Sequence, residues 1–423
     1  MQNVHFENRS VSRRFFILLW LMYSMVYMTK NCFSGAMSLI VSEGVMTKSQ
    51  TGLIVSAFNL AYAPLQILGG IFADKYDPEK LIKIGLIGGG IVNLIIFLNQ
   101  NYYLVLTVWI LNAAVQFSLW PSVFKIVSSQ IAKEDRKNST YYISFCTTAG
   151  LLFAFIIAIF LKKWQYNFLF SAVSLFALAI IWHIVTKRLK KHMVPDEITD
   201  NVSETQLEET ENISAFRLFW FSGYLVLIVI GFIWTVVVNS IKTLSATMLM
   251  ESYENISPQI GNFLNILIIA SGIIGSIIVK EFLYPKRIKS APVAIAFLFG
   301  ISLFFAVALL FLGKISVYIL VASLCLISGC LSAVFLLFTY CNLRFAKFGK
   351  SGIAAGAMNA SSALGIVVSG YVIAVIAEKL GWLAVTITFF VLIAVSIGLS
   401  LLVIPLWNRF KKKYHSSSMV VKN

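Results

Sequence analysis

The stretch WLMYSMVYMTKNCFSGAMSLIV, residues 20–41, is apolar and long enough to cross a lipid bilayer as a helix, and its one charge is Lys30, close to the middle. A hydrocarbon layer of about 30 Å requires about 20 apolar residues in helical form. Runs of this length recur along all 423 residues, of which 59% are hydrophobic and 12% are charged. No soluble core needs that share of apolar residues, so we predict an all-α membrane protein.

Twelve apolar runs predict twelve transmembrane helices. Barrel strands would be shorter and would alternate apolar with polar residues, so we do not predict strands. The predicted spans are 14–41, 51–73, 81–99, 102–128, 140–161 and 165–186 in the first half, and 218–249, 258–280, 290–312, 315–342, 352–377 and 382–407 in the second half.

One segment, residues 187–217, interrupts the apolar pattern, because it is first basic and then acidic. It lacks the apolar residues needed for a core, so it is predicted to be a mobile cytoplasmic linker. It divides a six-helix bundle, residues 1–186, from a second six-helix bundle with a basic tail, residues 218–423. Such an arrangement usually has a substrate site between the bundles, near the bilayer midplane.

Basic residues predict the orientation, because loops rich in Lys and Arg are retained in the cytoplasm. Most of the 34 basic residues lie in the tails and in every second connection, as Arg13, Lys80, Arg136 and Arg287 do. We therefore predict a multi-pass protein of the cell (inner) membrane with both termini cytoplasmic. Basic residues along one membrane face also explain the net charge of +16 without a nucleic-acid partner.

The cysteines and histidines form no catalytic or metal-binding pattern. All five cysteines fall inside predicted spans, and the four histidines are scattered. Small apolar packing residues are the simplest interpretation of the cysteines. We predict a protein that is not an enzyme and that uses no cofactor. Its first apolar run is too long for the core of a signal peptide, so the first helix is expected to be retained.

The segment GGIFADKYDPEK, residues 69–80, closes the second predicted helix with glycines that permit close packing, followed by a charged turn. It resembles the G-x-x-x-D-(R/K)-x-G-(R/K) signature of the major facilitator superfamily, although Asp77 and Pro78 replace the second glycine and basic residue. A weaker match, GSIIVKEFLYPKR at residues 275–287, has Glu281 in place of the aspartate. The resemblance implies a cytoplasmic gating role for Asp74, Lys75 and Glu281. Ordinary charged turns at helix ends are the alternative.

Within that superfamily the chain resembles the organophosphate:phosphate antiporters, which carry glycerol 3-phosphate and hexose phosphates. The resemblance covers most of the chain and rests on three segments: RFFILLWLMYSMVYMTKNCFSGAM, residues 14–37; SLWPSVFKIVSSQIAKEDR, residues 118–136; and KSGIAAGAMNASSALGIVVSGYVIAVIAEKLGW, residues 350–382. It implies a secondary transporter that moves a small organic anion, a phosphate ester or a carboxylate, by alternating access. The expected partners are that anionic substrate, an exchange anion or coupling ion, and the lipid bilayer.

Lys30 stands where those antiporters have an arginine that grips the substrate phosphate. Tyr23, Tyr27, Lys30 and Ser34 recur at i, i+4, i+7 and i+11, so they are predicted to share a helix face that lines a wet cavity. An intramembrane lysine costs about 3 kcal/mol to insert, and Asp and Glu lie only in tails, loops or helix ends. The sequence therefore predicts an anionic ligand for Lys30, with a structural or snorkelling lysine as the alternative.

The seventh predicted helix has a comparable polar face, formed by Thr235, Asn239, Lys242 and Ser245. The second arginine of the resembled family aligns nearer Val238 than Lys242. We still expect Asn239 and Lys242 to be substrate-binding residues.

Other positions depart further from the family pattern. Lys125 matches a family arginine, but it lies near the cytoplasmic end of its helix, where snorkelling is cheap. Ser144 and Thr147 replace a family histidine, and Gln66 replaces a lysine. Fewer cations imply a weaker positive field, which favours a singly charged anion or an anion other than a sugar phosphate. Lys125 and Thr147 are nevertheless included among the predicted substrate-binding residues.

Two other functions stay open. Relatives of the antiporters sense sugar phosphates and signal to a partner, so a membrane sensor of a related anion is one alternative. An export carrier for apolar or cationic compounds is the other. Cationic drug carriers commonly have a membrane-embedded carboxylate, and its absence from the predicted spans counts against that function.

Overall fold

The computed structural model describes residues 4–143, 145–189, 193–195, 214–312, 315–345, 348 and 350–415. The chain divides into two compact units, Met1–Thr205 with Pro258–Phe263 and Gln206–Ser257 with Leu264–Asn423. Helices dominate both units, as the composition predicts. The linker expected at 187–217 lies largely outside the described residues, and the bundle limits stay a prediction.

The first unit contains nine of the described helices. Four of them begin at side-chain caps that the sequence itself provides: Asn8, Thr47 in a capping box with Gln50, Asp77 followed by Pro78 at the first helical position, and Asn101. The helices are α1 Arg9–Lys30, α2 Cys32–Ser42, α3 Lys48–Lys75, α4 Pro78–Leu98, α5 Tyr102–Gln116, α6 Leu119–Ser129, α7 Arg136–Ile143, α8 Cys146–Phe160 and α9 Gln165–Leu189.

Four of the predicted spans are not single helices: 14–41, 102–128, 140–161 and 218–249, the last of which is interrupted at Gly223. The first span, 14–41, is interrupted at Asn31, whose φ of −100° and ψ of 8° separate α1 from α2. The Asn31 side-chain amide donates to the Tyr27 carbonyl (2.8 Å), so a side chain competes locally with the helical ladder. Breaks between α5 and α6 and between α7 and α8 correct the predicted spans 102–128 and 140–161 in the same way.

The second unit contains six described helices: α10 Ala215–Ser222, α11 Tyr224–Ser252, α12 Pro258–Ile278, α13 Ala291–Leu312, α14 Val317–Leu343 and α15 Ser351–His415. The first six residues of α12 group with the first unit. Gly223 has a positive φ of 73° and separates α10 from α11. Gly381, with φ 79° and ψ 175°, turns the chain inside α15, between the predicted spans 352–377 and 382–407. Both turns use a backbone conformation that glycine adopts without steric cost.

Among the described residues, eight helices are long and apolar enough to cross a membrane. The last of them, Gly356–Lys413, contains two predicted spans. The remaining predicted spans coincide with α1 and α2, with α3, and with α7 and α8. The predicted all-α membrane fold is therefore confirmed, with broken helices where the sequence predicted continuous ones.

A short antiparallel ribbon is the feature that the sequence did not predict. Strand β1, Val4–Phe6, pairs with β2, Met193–Pro195, and β2 lies inside the segment expected to be an unstructured linker. The Phe6 side chain is fully buried, with its ring centroid 5.1 Å from that of Phe15. Its backbone N–H donates to the Gln130 carbonyl (2.9 Å), beyond the end of α6. The ribbon therefore ties the N-terminal residues to the end of the first unit where α1 begins.

Candidate functional site

Lys30 is the last residue of α1, directly before the break at Asn31, and its side chain is half-buried. Its ammonium donates to the Tyr62 hydroxyl on α3 (2.9 Å). The ammonium nitrogen also lies 4.3 Å from the centroid of the Tyr62 ring and 5.3 Å from that of Tyr27. The charge thus rests on the negative faces of two rings, which partly compensates its removal from water. No carboxylate contacts Lys30 within the described residues.

Tyr62 was missed by the sequence analysis, because nothing in α1 indicates which residue of α3 will face Lys30. It belongs to two groups of aromatic rings that flank Lys30, together called the aromatic wall. Tyr62 stacks on Phe58 (centroids 5.3 Å apart), Tyr23 contacts Tyr27 edge to face (5.2 Å), and Tyr23 stacks on Trp120 (5.3 Å). Offset and edge-to-face pairs of this kind hold their rings in defined positions. The wall therefore fixes the place of the Lys30 ammonium.

A glycine sets the distance between α8 and this part of α1. A Cβ added at Gly150 would lie 2.4 Å from the Cβ of Tyr27 and 2.5 Å from the Ser24 carbonyl oxygen. Only a glycine allows such an approach, because backbone and Cβ atoms cannot move aside as a flexible side chain would. Thr147 lies on the same helix, one turn before Gly150, and is half-buried.

Ser34 is separated from the other predicted members of the helix face. It is buried in α2, beyond the break, and no hydrogen bond joins it to Lys30 among the described residues. Tyr23, Tyr27 and Lys30 lie in one helix, α1, with the predicted spacing of i, i+4 and i+7. Ser34, predicted at i+11, lies in the next helix, beyond the non-helical Asn31.

Lys242 lies within α11 of the second unit and is also half-buried. Its backbone carbonyl accepts a hydrogen bond from the Asn265 side-chain amide of α12 (2.9 Å), which leaves the ammonium uninvolved. In the part of the chain that the structure describes, the Lys242 ammonium has no hydrogen bond, ion pair or aromatic ring contact. A cation in this position lacks the compensation that Lys30 receives from its two tyrosines.

The polar face predicted around Lys242 is largely used for helix packing. The Asn239 amide donates to the Ser369 hydroxyl of α15 (2.7 Å). Thr235 is buried against Gly365 of α15, where an added Cβ would come within 2.8 Å of the Thr235 Cβ. The Ser245 hydroxyl donates to the Ile241 carbonyl of its own helix (2.6 Å). Of the four residues, Lys242 alone has a polar group without such a contact among the described residues.

Lys125 has a protein partner at the end of a helix. Its ammonium donates to the carbonyl of Ala73 (2.5 Å), in the last turn of α3. The last carbonyls of a helix carry partial negative charge and lack partners within the helix, so a lysine stabilises them. This contact gives Lys125 a structural role in holding α6 to α3, and its predicted contact with substrate is still a prediction.

The predicted gating residues lie at helix ends. Asp74 and Lys75 are the last two residues of α3, and the Asp74 side chain lies outside the described part. Lys75 is exposed, with its ammonium 6.0 Å from the Tyr76 ring centroid. Glu281 lies in the π-helical turn after α12, and its carboxylate is 3.6 Å from Lys286 and 3.9 Å from Lys280. Exposed ion pairs of this kind contribute little to stability.

A tighter ion cluster lies in the first unit, at the start of α1. Arg9 and Arg13 both direct their guanidinium forks at Asp135, with the closest contacts at 2.8 Å and 3.2 Å. The two arginines lower the pKa of the Asp135 carboxyl to about 2, because each hydrogen bond favours the ionised form. The Ser12 hydroxyl accepts the Ala132 N–H in the same region (3.0 Å). The start of α1 is thereby fastened to the turn between α6 and α7.

Apolar helices of membrane-spanning length, with charges confined mainly to their ends, define a multi-pass α-helical integral membrane protein. The Major Facilitator Superfamily matches residues 19–370. The chain therefore belongs to this superfamily, as the motif at residues 69–80 predicted, and it is a non-enzymatic member of it.

Curated relatives match shorter parts of the chain. The membrane sensor protein UhpC of Escherichia coli is 27% identical over 124 residues, 29% of this chain and 28% of that protein. A probable hexose phosphate transport protein of Chlamydia trachomatis is 28% identical over 123 residues, 29% of this chain and 27% of that protein. The probable sulfoacetate transporter SauU of Cupriavidus necator is 47% identical over 73 residues, 17% of each chain. The match thus spans less than a third of these relatives.

Solved structures share the fold over nearly the whole chain. A bacterial homologue of the human lysosomal transporter Spinster, inward-facing and unoccupied, has a TM-score of 0.69 at 14% identity, with coverage of 97% of this chain and 98% of that one. A POT family transporter in complex with a thioalcohol-conjugated peptide has a TM-score of 0.70 at 13% identity, with coverage of 94% and 96%. At these identities the likeness shows the fold alone.

Proposed function

We propose that the protein is a secondary transporter that moves a small organic anion across the cytoplasmic membrane by alternating access, with both termini in the cytoplasm. The observation that carries the proposal is that Lys30 in the first unit and Lys242 in the second are half-buried intramembrane lysines that no described carboxylate neutralises. A desolvated cation is costly unless an anion joins it. The residues that the structure describes place no carboxylate at either lysine, so in this proposal the anion comes from the ligand.

The two lysines have different roles in this proposal. Lys30 is positioned by Tyr27 and Tyr62, so it meets an incoming anion with little loss of side-chain freedom. Lys242 receives no such support from the described residues, so it gains more from a ligand that accepts a hydrogen bond from its ammonium. Tyr62 is the additional residue that we assign to the site, since its hydroxyl can turn from Lys30 to the ligand.

The substrate class follows from the charge count and from the relatives. Two lysines suit an anionic group such as a phosphate ester, a carboxylate or a sulfonate. Relatives named for hexose phosphate and sulfoacetate transport fall within that chemistry. A sensor of the same class of anion is the second candidate, because UhpC is named a membrane sensor.

The test is thermal unfolding of the purified protein with a panel of phosphate esters, carboxylates and sulfonates, since a ligand stabilises the folded state by mass action. For the anion that stabilises best, Lys30→Gln and Lys242→Gln are each expected to weaken binding by about 30- to 150-fold, the loss of one charge-assisted hydrogen bond of about 2 to 3 kcal/mol. Lys280→Gln, at an exposed ion pair, is the matched control and should bind as the wild type does. Lys30→Arg should keep more affinity than Lys30→Gln.

Uptake into proteoliposomes then separates the two candidates. A transporter exchanges or accumulates the labelled anion, and both Gln variants lose this uptake. Binding without uptake would favour the sensor. Binding that is equally tight in wild type and both Gln variants would contradict the anion site altogether.

A further inference from the structure

An apolar groove opens on the surface of the first unit between α1 and the junction of α7 with α8. It is lined by Phe16, Ile17, Trp20, Leu21, Tyr142 and Phe145. Ile17 is 57% exposed and Leu21 46%, so the groove faces outward and not into the aromatic wall around Lys30. Outward-facing apolar surface on a membrane-spanning helix lies against lipid.

The groove is a built feature of the fold, because a hydrogen bond fixes its two walls. The helix breaks between Ile143 and Cys146, where the Tyr142 carbonyl accepts the Phe145 N–H in a turn (3.1 Å). The Trp20 indole N–H donates to this carbonyl (3.0 Å), and the Cys146 thiol contacts the Trp20 carbonyl oxygen (3.3 Å). The Trp20 indole is thus a second donor to the carbonyl of this turn, and it joins α1 to the broken helix.

Basic residues lie at one end of the groove. Arg13 and Arg14 precede Phe16 and Ile17 by three positions each, about one helical turn. Helical side chains lean toward the N-terminus of their helix, so the Arg13 and Arg14 side chains extend past the N-terminal end of the groove. Arg14 is exposed and makes no ion pair or hydrogen bond among the described residues. Arg13 hydrogen-bonds to Asp135, which it shares with Arg9. The Arg13 side chain is nevertheless 64% exposed.

An apolar groove with an arginine at one end matches an amphiphile that has an apolar tail and an anionic head. We propose that the groove binds an anionic phospholipid, with an acyl chain along Ile17, Trp20 and Leu21 and the phosphate at Arg14, supported by Arg13. Arginine suits a phosphate because its planar fork donates two parallel hydrogen bonds. This site is separate from the proposed anion site at Lys30, and it does not depend on transport activity.

Native mass spectrometry tests the proposal on the full-length protein, with phosphatidylglycerol and phosphatidylcholine of identical acyl chains as the probes. The wild type should retain phosphatidylglycerol in preference to phosphatidylcholine. Arg14→Gln should weaken phosphatidylglycerol binding about fivefold and leave phosphatidylcholine unchanged, as expected for one basic residue at the membrane surface. Ile17→Trp, which fills the groove, should reduce the retention of both lipids.

Matched controls lie on α9, none of whose residues lines the groove. Arg188→Gln removes an exposed arginine at a helix end, and Ile180→Trp enlarges a side chain that is 62% exposed; neither should alter lipid retention. Arg14→Lys keeps the charge and should retain most of the headgroup preference. If Ile17→Trp does not fold, Leu21→Trp can be used in its place to fill the groove. Equal retention of the two lipids by the wild type would overturn the proposal, and so would an equal loss in Arg14→Gln and Arg188→Gln.

Discussion

Substitution Phe6→Ala is expected to release the N-terminal strand without unfolding the helices. Phe6 is fully buried, and burial of a phenylalanine side chain is worth about 1.5 to 3 kcal/mol. Its aromatic pair with Phe15 adds about 0.5 to 1.5 kcal/mol. A ribbon of two three-residue strands is marginal by itself, so the strand remains docked mainly through this side chain. The expected loss is about 2 to 4 kcal/mol of docking free energy.

Hydrogen exchange measures this loss directly. The amide of residue 6 is protected by its bond to the Gln130 carbonyl, and it exchanges when the strand opens. A loss of 2 to 4 kcal/mol corresponds to exchange about 30- to 1,000-fold faster in the peptide that contains β1. Exchange in α1 beyond Ser12 should change little, because the hydroxyl of Ser12 still accepts the Ala132 N–H.

The matched control is Phe216→Ala, which removes a phenylalanine that is 65% exposed at the start of α10. That variant should leave the N-terminal peptide as protected as in the wild type. Phe6→Leu, which keeps most of the apolar surface, should show an intermediate rate. Unchanged exchange in Phe6→Ala would refute the inference that burial of this ring holds the ribbon in place.

Three further outcomes are expected. Gly150→Leu should push α8 away from Tyr27 and weaken binding of the stabilising anion, while the protein still folds. Thermal shift measures this binding. Unaltered affinity would show that the close approach of α8 is unimportant for the site. The Asp135 pKa of about 2 is depressed, so its contribution to stability is present above the unfolded-state pKa of about 3.9 and is lost as pH falls toward 2. The difference in stability between wild type and Asp135→Asn, from denaturation at several pH values, should therefore vanish at the acid end, and a constant difference would argue against the ion cluster. Lys163→Cys, in a protein otherwise free of cysteine, should react with an impermeant thiol reagent added outside the cell; protection there would reverse the proposed topology.

The sequence by itself determined the membrane class, the approximate helices and the family. Length and hydrophobicity are enough for this, because a bilayer core has no water to satisfy a backbone and an apolar run of span length must form its own hydrogen bonds. The motif at residues 69–80, which contains Asp74 and Lys75, can be recognised in the same way, because all of its residues are neighbours in the chain. The same local reasoning identified Lys30 and Lys242 as unusual, since a lysine within an apolar span is rare and costly to insert, whichever groups later surround it.

The tertiary structure decided which groups meet those charges. Tyr62 reaches Lys30 from another helix, and Lys125 bonds to the Ala73 carbonyl. Phe6, at the end of the strand that pairs with residues 193–195, packs beside Phe15. Apolar helices have no periodic pattern that specifies the face each turns to its neighbour, because lipid and protein interior are similarly apolar. Close contacts at small residues such as Gly150, and breaks such as that at Asn31, set those faces, and they take effect only when the helices are packed together.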